Sequence, residues 1–269
     1  MRAFRLAYDG TEFRGFQRQP HGQTVEDRLF DALQALGIDV SNGSPSGYAA
    51  AGRTDAGVSA RAQTVAFETP EWLSPRALNS ELPQSIRAWA VADVDAEFHA
   101  TYAAATRTYR YFLYAPETEI DDDRAGDARR RLSGENDFHN FTPDATGTVR
   151  ELSVSIERDG DFLVIDCRAG GFTRQLVRRI VSVVESVARG VHAPAFVDRA
   201  LGSEPLSGPD GIAPAAPEPL VLLDVEYPGV EFTVDSEAFE STRETFDSRR
   251  RRRLATARVA GALARDHPS

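Results

Sequence analysis

Asp55 stands in a seven-residue loop, Gly52-Arg53-Thr54-Asp55-Ala56-Gly57-Val58, whose two glycines let the backbone approach a bound molecule without side-chain obstruction. A carboxylate so placed is either a turn or cap residue bonded to its own backbone, or a nucleophile or base. Two distant residues favour the second reading. Tyr109 lies on an arginine-bearing strand; its ring can stack on a base and its hydroxyl can hydrogen-bond or exchange a proton, although many strand tyrosines are plain core aromatics. Arg178 lies on the polar side of an otherwise apolar helix, where the bland reading is a surface charge. A guanidinium beside a carboxylate favours the ionised form and fixes its oxygens. Together the three suit one reaction.

The elements that must position them follow from periodicity. Phe4, Leu6 and Tyr8 alternate with Arg5 and Ala7 before Asp9-Gly10 turns the chain, which predicts a half-buried strand. Thr24, with Asp27 three residues on, caps a helix carrying Val25, Leu29, Leu33 and Leu36 and ended by Gly37. A Ser/Gly/Asn-rich approach over residues 41–50 delivers the chain to the Asp55 loop, and Val65 and Phe67 mark a strand beyond it. Residues 70–83 read as a helix-bearing connection and residues 89–94 as a strand. In residues 107–114, Tyr109, Tyr111 and Leu113 share one face and Arg110, Phe112 and Tyr114 the other, so both faces are expected to be covered.

Residues 121–132 predict a charged helix, and Asp159-Gly160 a tight hairpin joining residues 152–156 to residues 162–167. Leu176, Ile180, Val183 and Val187 form the buried stripe of a long helix stopped by Gly190, with Arg174 and Arg178 on its other side. A Gly/Pro-rich loop over residues 202–219 precedes a last strand at residues 220–227. Strand, helix and strand recur twice without strict βα alternation, which implies an α+β protein of two related halves with mainly antiparallel sheet. The expected divisions are residues 1–104, carrying the Asp55 loop, residues 105–228, and a helical tail over residues 229–269.

The formal charge is −10, and all 31 basic residues are arginine, because the chain has no lysine. Abundant acid without lysine resembles the composition of proteins from salt-loving cells. Net acidity argues against a nucleic-acid partner, but arginines gather at Arg14 and Arg18, at Arg107 and Arg110, and at Arg174, Arg178 and Arg179, so local basic surfaces are expected. The single Cys167 excludes an internal disulfide and reads as packing, and the five histidines lack metal-ligand spacing. With no long apolar run and no signal peptide, the protein is expected to be soluble and cytoplasmic.

The chain resembles the TruA family of tRNA pseudouridine synthases across nearly its whole length, to about Pro228. The residues that carry the resemblance are Tyr8-Asp9-Gly10 with Phe13, Gly15-Phe16-Gln17 and Gln19; Ala51 through Val58; Phe98-His99-Ala100; Arg107 with Tyr109-Arg110-Tyr111; Gly134 with Asp137-Phe138 and Phe141; Val177-Arg178 with Ile180-Val181; and Asp224 through Pro228. It implies two ferredoxin-like (RRM-like) halves merging into a central sheet flanked by helices, with a catalytic cleft between them. It further implies conversion of uridine to pseudouridine at positions 38, 39 and 40 of the tRNA anticodon arm, without metal or organic cofactor, by a homodimer.

Asp55 matches the catalytic aspartate, attacking the uridine at C6 or at the sugar C1′, or acting through a glycal; Tyr109 matches the tyrosine that contacts the base and Arg178 the arginine that pairs with the aspartate. Arg53 matches a residue that helps the target leave its stack, as a nucleotide reacting at its glycosidic bond must. Phe16 and Gln17 are expected to contact substrate with it. Two departures stand out: Ser59 replaces a histidine common four residues after the aspartate, and Thr173-Arg174-Gln175 replaces a histidine-bearing run.

Rival readings are a non-catalytic tRNA-binding or tRNA-folding protein, a synthase acting on other tRNA positions or RNAs, and a glycosidase. The intact Asp55, Tyr109 and Arg178 set speaks against the first, and the lack of a second acid beside Asp55 against the last. In molar salt, phosphate contacts weaken, so stacking by Tyr109, Phe16 and Arg53 is expected to carry more of the affinity. The arginine run at residues 249–253 reads equally as a solvated helix or an RNA contact.

Overall fold

The computed structural model describes residues 1–264. The first part of the chain runs β1 (Arg2–Tyr8), α1 (Val25–Ala35), β2 (Ala49–Ala50), β3 (Ser59–Phe67), α2 (Pro75–Glu81) and β4 (Ile86–Asp93). Thr24 caps α1 reciprocally with Asp27, as the sequence predicts, and Ser74 caps α2 with Pro75 in its first turn. The strands lie in the order β4-β1-β3, with β2 against the far end of β3. Ala3 of β1, Ala49 of β2, Ala66 of β3 and Ala100 form a second small buried cluster, packed with Phe98 and Phe232.

The second part runs β5 (Thr106–Tyr114), α3 (Asp122–Leu132), β6 (Gly134–Asp137), β7 (Val149–Asp159), β8 (Phe162–Ala169), α4 (Leu176–Ala188), α5 (Ala195–Leu201) and β9 (Leu220–Glu226). Its strands lie in the order β9-β5-β8-β7, with β6 at the edge. Setting aside β6 and α5, both parts are β-α-β-β-α-β units whose last strand lies beside the first, which is the ferredoxin-like plan. The Asp159-Gly160 hairpin forms as read, with Asp159 opposite Phe162. β10 (Thr233–Val234) then adds to β4, and α6 (Ser236–Leu263) packs on β4 through Phe239, 5.9 Å from the Trp89 ring. Residues 265–269 of the tail lie outside the described residues.

All strands join one ten-stranded sheet, antiparallel except where β3 meets β9, at Ser59 opposite Val221 and Ala60 opposite Leu222. Beyond Ala60 the same edge of β3 is taken by β2, so the two units separate immediately past this short seam. Two buried arginines reinforce it. Arg5 donates from β1 to the carbonyls of Ala62 and Val225, and Arg107 donates from β5 to those of Ala51, Thr101 and Gly170.

Several readings are corrected. β4 begins at Ile86, three residues before the expected start. β5 has one open face: Tyr109, Tyr111 and Leu113 are buried, but Phe112 is 41% and Tyr114 57% exposed, because α3 and α4 lie on the other side of the sheet. Arg107 is 7% exposed and Arg110 pairs with Asp166, so no free basic surface forms there. Arg174 precedes α4, rather than sharing its polar face, and pairs with Asp144. Cys167 is buried as expected, and burial pushes its thiol up to about 12. Among the described residues no helix is long and apolar enough to cross a membrane.

Candidate active site

The loop bearing Asp55 is held on several sides. Phe16 N donates to Thr54 O at 3.0 Å, Gly57 N to Phe13 O at 3.3 Å, and Val58 N to Asp55 O at 3.1 Å. Beneath it the hydroxyls of Tyr8 and Thr54 meet at 2.8 Å, and burial holds the Tyr8 hydroxyl well above its ordinary range despite the bonds to Thr54 and Gln63. Gly57 has φ +84, and an added Cβ would lie 2.8 Å from Pro217 Cγ. Gly10 passes so close that a Cβ would meet Val58 O at 2.0 Å. Side chains at either place would push the loop off its support.

Arg178 Nη1 donates to Asp55 Oδ2 at 2.9 Å, joining residues 123 positions apart, and the two side chains are 13% and 37% exposed. Arg178 is itself fixed from behind: Nε donates to Ala215 O at 2.7 Å, and Ala215 N donates to the Arg178 carbonyl at 3.1 Å. The Pro-rich connection before β9 therefore positions the guanidinium, a role that its composition did not announce. The other carboxylate oxygen of Asp55 has no hydrogen-bond partner among the described residues and is available to a bound molecule.

Both groups line a cleft of about 1130 Å³, with Tyr109 on its wall. That is slightly above the ~300–1,000 Å³ of ordinary small-molecule pockets. Tyr109 is buried, edge-on to Phe172 at 5.0 Å, and burial pushes its hydroxyl up to about 12, so at neutral pH it carries its proton as a donor. The lining holds five arginines against three carboxylates, although the chain as a whole is acidic. Arg174 and Arg178 are paired and Arg107 is spent on carbonyls, which leaves Arg14 and Arg53 exposed, without side-chain partners among the described residues.

Arg53 and Gln17 both face the cleft. Phe16 does not offer its ring as expected: it is 1% exposed and stacked on Tyr8 at 6.1 Å, so it supports the Asp55 loop from within. The exposed aromatic at the cleft is instead Tyr102, 83% exposed and set 4.4 Å from the His99 ring. Its neighbour His99 belongs to a motif noted in the sequence, but nothing there distinguished a free ring from a packed one. Ser59, in place of the common histidine, accepts a hydrogen bond from Gly10 N at 3.0 Å and so ties β1 to the loop. Thr173, in the other departure, has a buried hydroxyl at the cleft wall without a partner among the described residues.

A protein of Natronomonas pharaonis, tRNA pseudouridine synthase A, is 68% identical over 264 residues, covering 98% of this chain and 99% of its own. The chain belongs to the tRNA pseudouridine synthase A (TruA) family. It is, accordingly, an enzyme of the pseudouridine synthase type. Residues 128–228 match the family model described as tRNA pseudouridine synthase. A family member of Haloarcula marismortui is 56% identical over 268 residues, covering 97% of this chain and 98% of its own. A solved chain of a Cbf5-Nop10-Gar1 complex aligns with 69% of this chain and 45% of its own, at 13% identity and a TM-score of 0.36. The relatives in halophiles accord with the lysine-free, acidic composition.

Proposed function

We propose that the protein isomerises uridine to pseudouridine in the anticodon arm of tRNA, at positions 38, 39 and 40, with Asp55 as the nucleophile. The observation that carries this reading is the Asp55–Arg178 pair, with one carboxylate oxygen free, in a cleft also lined by Tyr109. The free oxygen attacks the uridine at C6 or C1′, or the reaction passes through a glycal. In each route the N1–C1′ bond breaks, the base turns, a C5–C1′ bond forms and the C5 proton leaves. Arg178 holds the carboxylate in place, and Tyr109 supports the base from the wall with its protonated hydroxyl. Such a reaction requires an everted nucleotide. Arg53, exposed two residues before Asp55, fills the gap or holds a phosphate.

The free arginines of the cleft, Arg14 and Arg53, support a polyanionic substrate, which family membership makes tRNA. The reading includes a homodimer as the working form, as the resemblance implies, with the arm of one tRNA lying across both copies. Tritium release from uridine-labelled tRNA, together with mapping of the product, tests the reading. Parent enzyme is expected to release tritium from the anticodon arm and Asp55→Asn to release none; turnover by the variant would remove Asp55 from the chemistry, and product elsewhere in the tRNA would remove the positional assignment.

A further inference from the structure

The arginine run at residues 249–253 falls within α6 and divides by helical geometry. Residues 249 and 253 are one turn apart on the face toward the body. Arg249 Nη1 donates to Asp9 Oδ2 at 2.9 Å and Arg253 Nη2 to the same oxygen at 2.6 Å, and Arg249 also pairs with Glu12. Asp9 is a built anchor, its side chain only 3% exposed. Burial works against its charge, but the bonds from Thr11, Arg253 and Arg249 bring its carboxyl below the usual range. The clamp fastens α6 to the turn that feeds the cleft-lining residues Arg14 and Gln17.

Beyond the clamp α6 leaves the body. Every residue from position 250 to 264 is exposed, and from Arg253 to Leu263 the helix extends roughly 15 Å at ~1.5 Å per residue. A free helix that short is marginal in water, so the clamped turns serve as its nucleus. Residues 248–264 contain six arginines and no acid, in a chain of net charge −10. Arg250 and Arg251 meet only Asp247 of their own helix, and Arg252 and Arg258 have no side-chain partner among the described residues. Exposed pairs within a helix are worth only about 0.3–0.5 kcal/mol, so a phosphate readily displaces Asp247.

We propose that this projecting half of α6 is a second RNA-contact arm, which grips backbone phosphates of the tRNA body outside the anticodon arm through Arg250, Arg251, Arg252 and Arg258. The proposal rests on tRNA being the substrate. Charge complementarity and the fastening of the arm to the turn that leads into the cleft lining select this occupant. The contact is with phosphate, so it adds affinity and register without reading bases.

The test combines Arg250→Gln, Arg251→Gln, Arg252→Gln and Arg258→Gln, all on exposed positions, beside the matching four-lysine variant. Binding of whole tRNA and of the isolated anticodon stem-loop is measured from low to molar KCl, with sedimentation of each protein. The glutamine variant is expected to bind whole tRNA more weakly, its log K against log salt flattened by about 0.7–0.9 for each phosphate that the arm no longer neutralises, and to bind the stem-loop as the parent does. The lysine variant is expected to keep the slope. An unchanged slope on whole tRNA, an equal loss on the isolated stem-loop, or a changed oligomeric state with RNA affinity intact would each overturn the arm. Because binding is read without turnover, a parent that forms no pseudouridine fails the proposed function while leaving this result legible.

Discussion

Replacing Arg178 by Met keeps most of the apolar stem and removes both the bond to Asp55 Oδ2 and the bond to Ala215 O. Two unit charges about 4 Å apart attract by roughly 4 kcal/mol at an effective dielectric of about 20. The net value is smaller, because Asp55 is 37% exposed and water screens the pair. A charge-assisted hydrogen bond contributes about 1.5–3 kcal/mol net, and the exposure of Asp55 places this one near 2. If the guanidinium holds the carboxylate in its attacking position, that loss appears as about a 30-fold fall in kcat/KM, at ~1.36 kcal/mol per factor of ten. Arg178→Lys is expected to fall between parent and Met variant, since one ammonium cannot serve the carboxylate and the Ala215 carbonyl as the fork does. Single-turnover tritium release gives the rate, and circular-dichroism melting confirms that each variant is folded. A folded Met variant within about threefold of the parent would refute the positioning argument.

Gly57→Ala places a side chain at φ +84 against Pro217, so it is expected to cost about 1–2 kcal/mol, read as a lowered melting temperature, and to reduce turnover by separating the Asp55 loop from the loop that holds Arg178. Asp9→Asn weakens the clamp and is expected to cost about 2 kcal/mol, low for a buried charged bond because Arg253 still meets water; hydrogen exchange should quicken in α6 first. Burial raises the hydroxyls of Tyr109 and Tyr227 from 10.0 to about 12, so the stability they contribute is whole below pH 10 and is lost as pH climbs through about 12. Urea midpoints across that range should fall, and Tyr109→Phe should flatten part of the fall; a midpoint constant through the range would contradict the burial of both hydroxyls.

Local physics was readable where it is written in a few adjacent residues. Thr24 with Asp27, Asp159 with Gly160, and the stripe Leu176, Ile180, Val183 and Val187 each specify a cap, a turn or a face without help from the rest of the chain. The pairing of Asp55 with Arg178 was suggested by the chemistry of the two groups and by resemblance, since no periodicity links residues 123 apart. Phe16 misled because an aromatic in a polar loop looks free until the tertiary fold sets Tyr8 beneath it. Arginine misled more often. In a chain without lysine it is both surface charge and internal staple, and Arg5 and Arg107 differ from Arg53 only by what packs around them. The polar edge strand β6 and the seven-residue α5 carry too short a pattern to register.

The short parallel seam between β3 and β9 has a consequence for the order in which a growing chain becomes competent. Asp55 lies just before one strand of that seam, and Ala215, which holds Arg178, just before the other. A nascent polypeptide therefore displays its carboxylate more than a hundred residues before the guanidinium emerges, and lacks the last strand that registers them until later still. Neither unit alone holds both members of the Asp55–Arg178 pair, so that contact forms only once the two have docked.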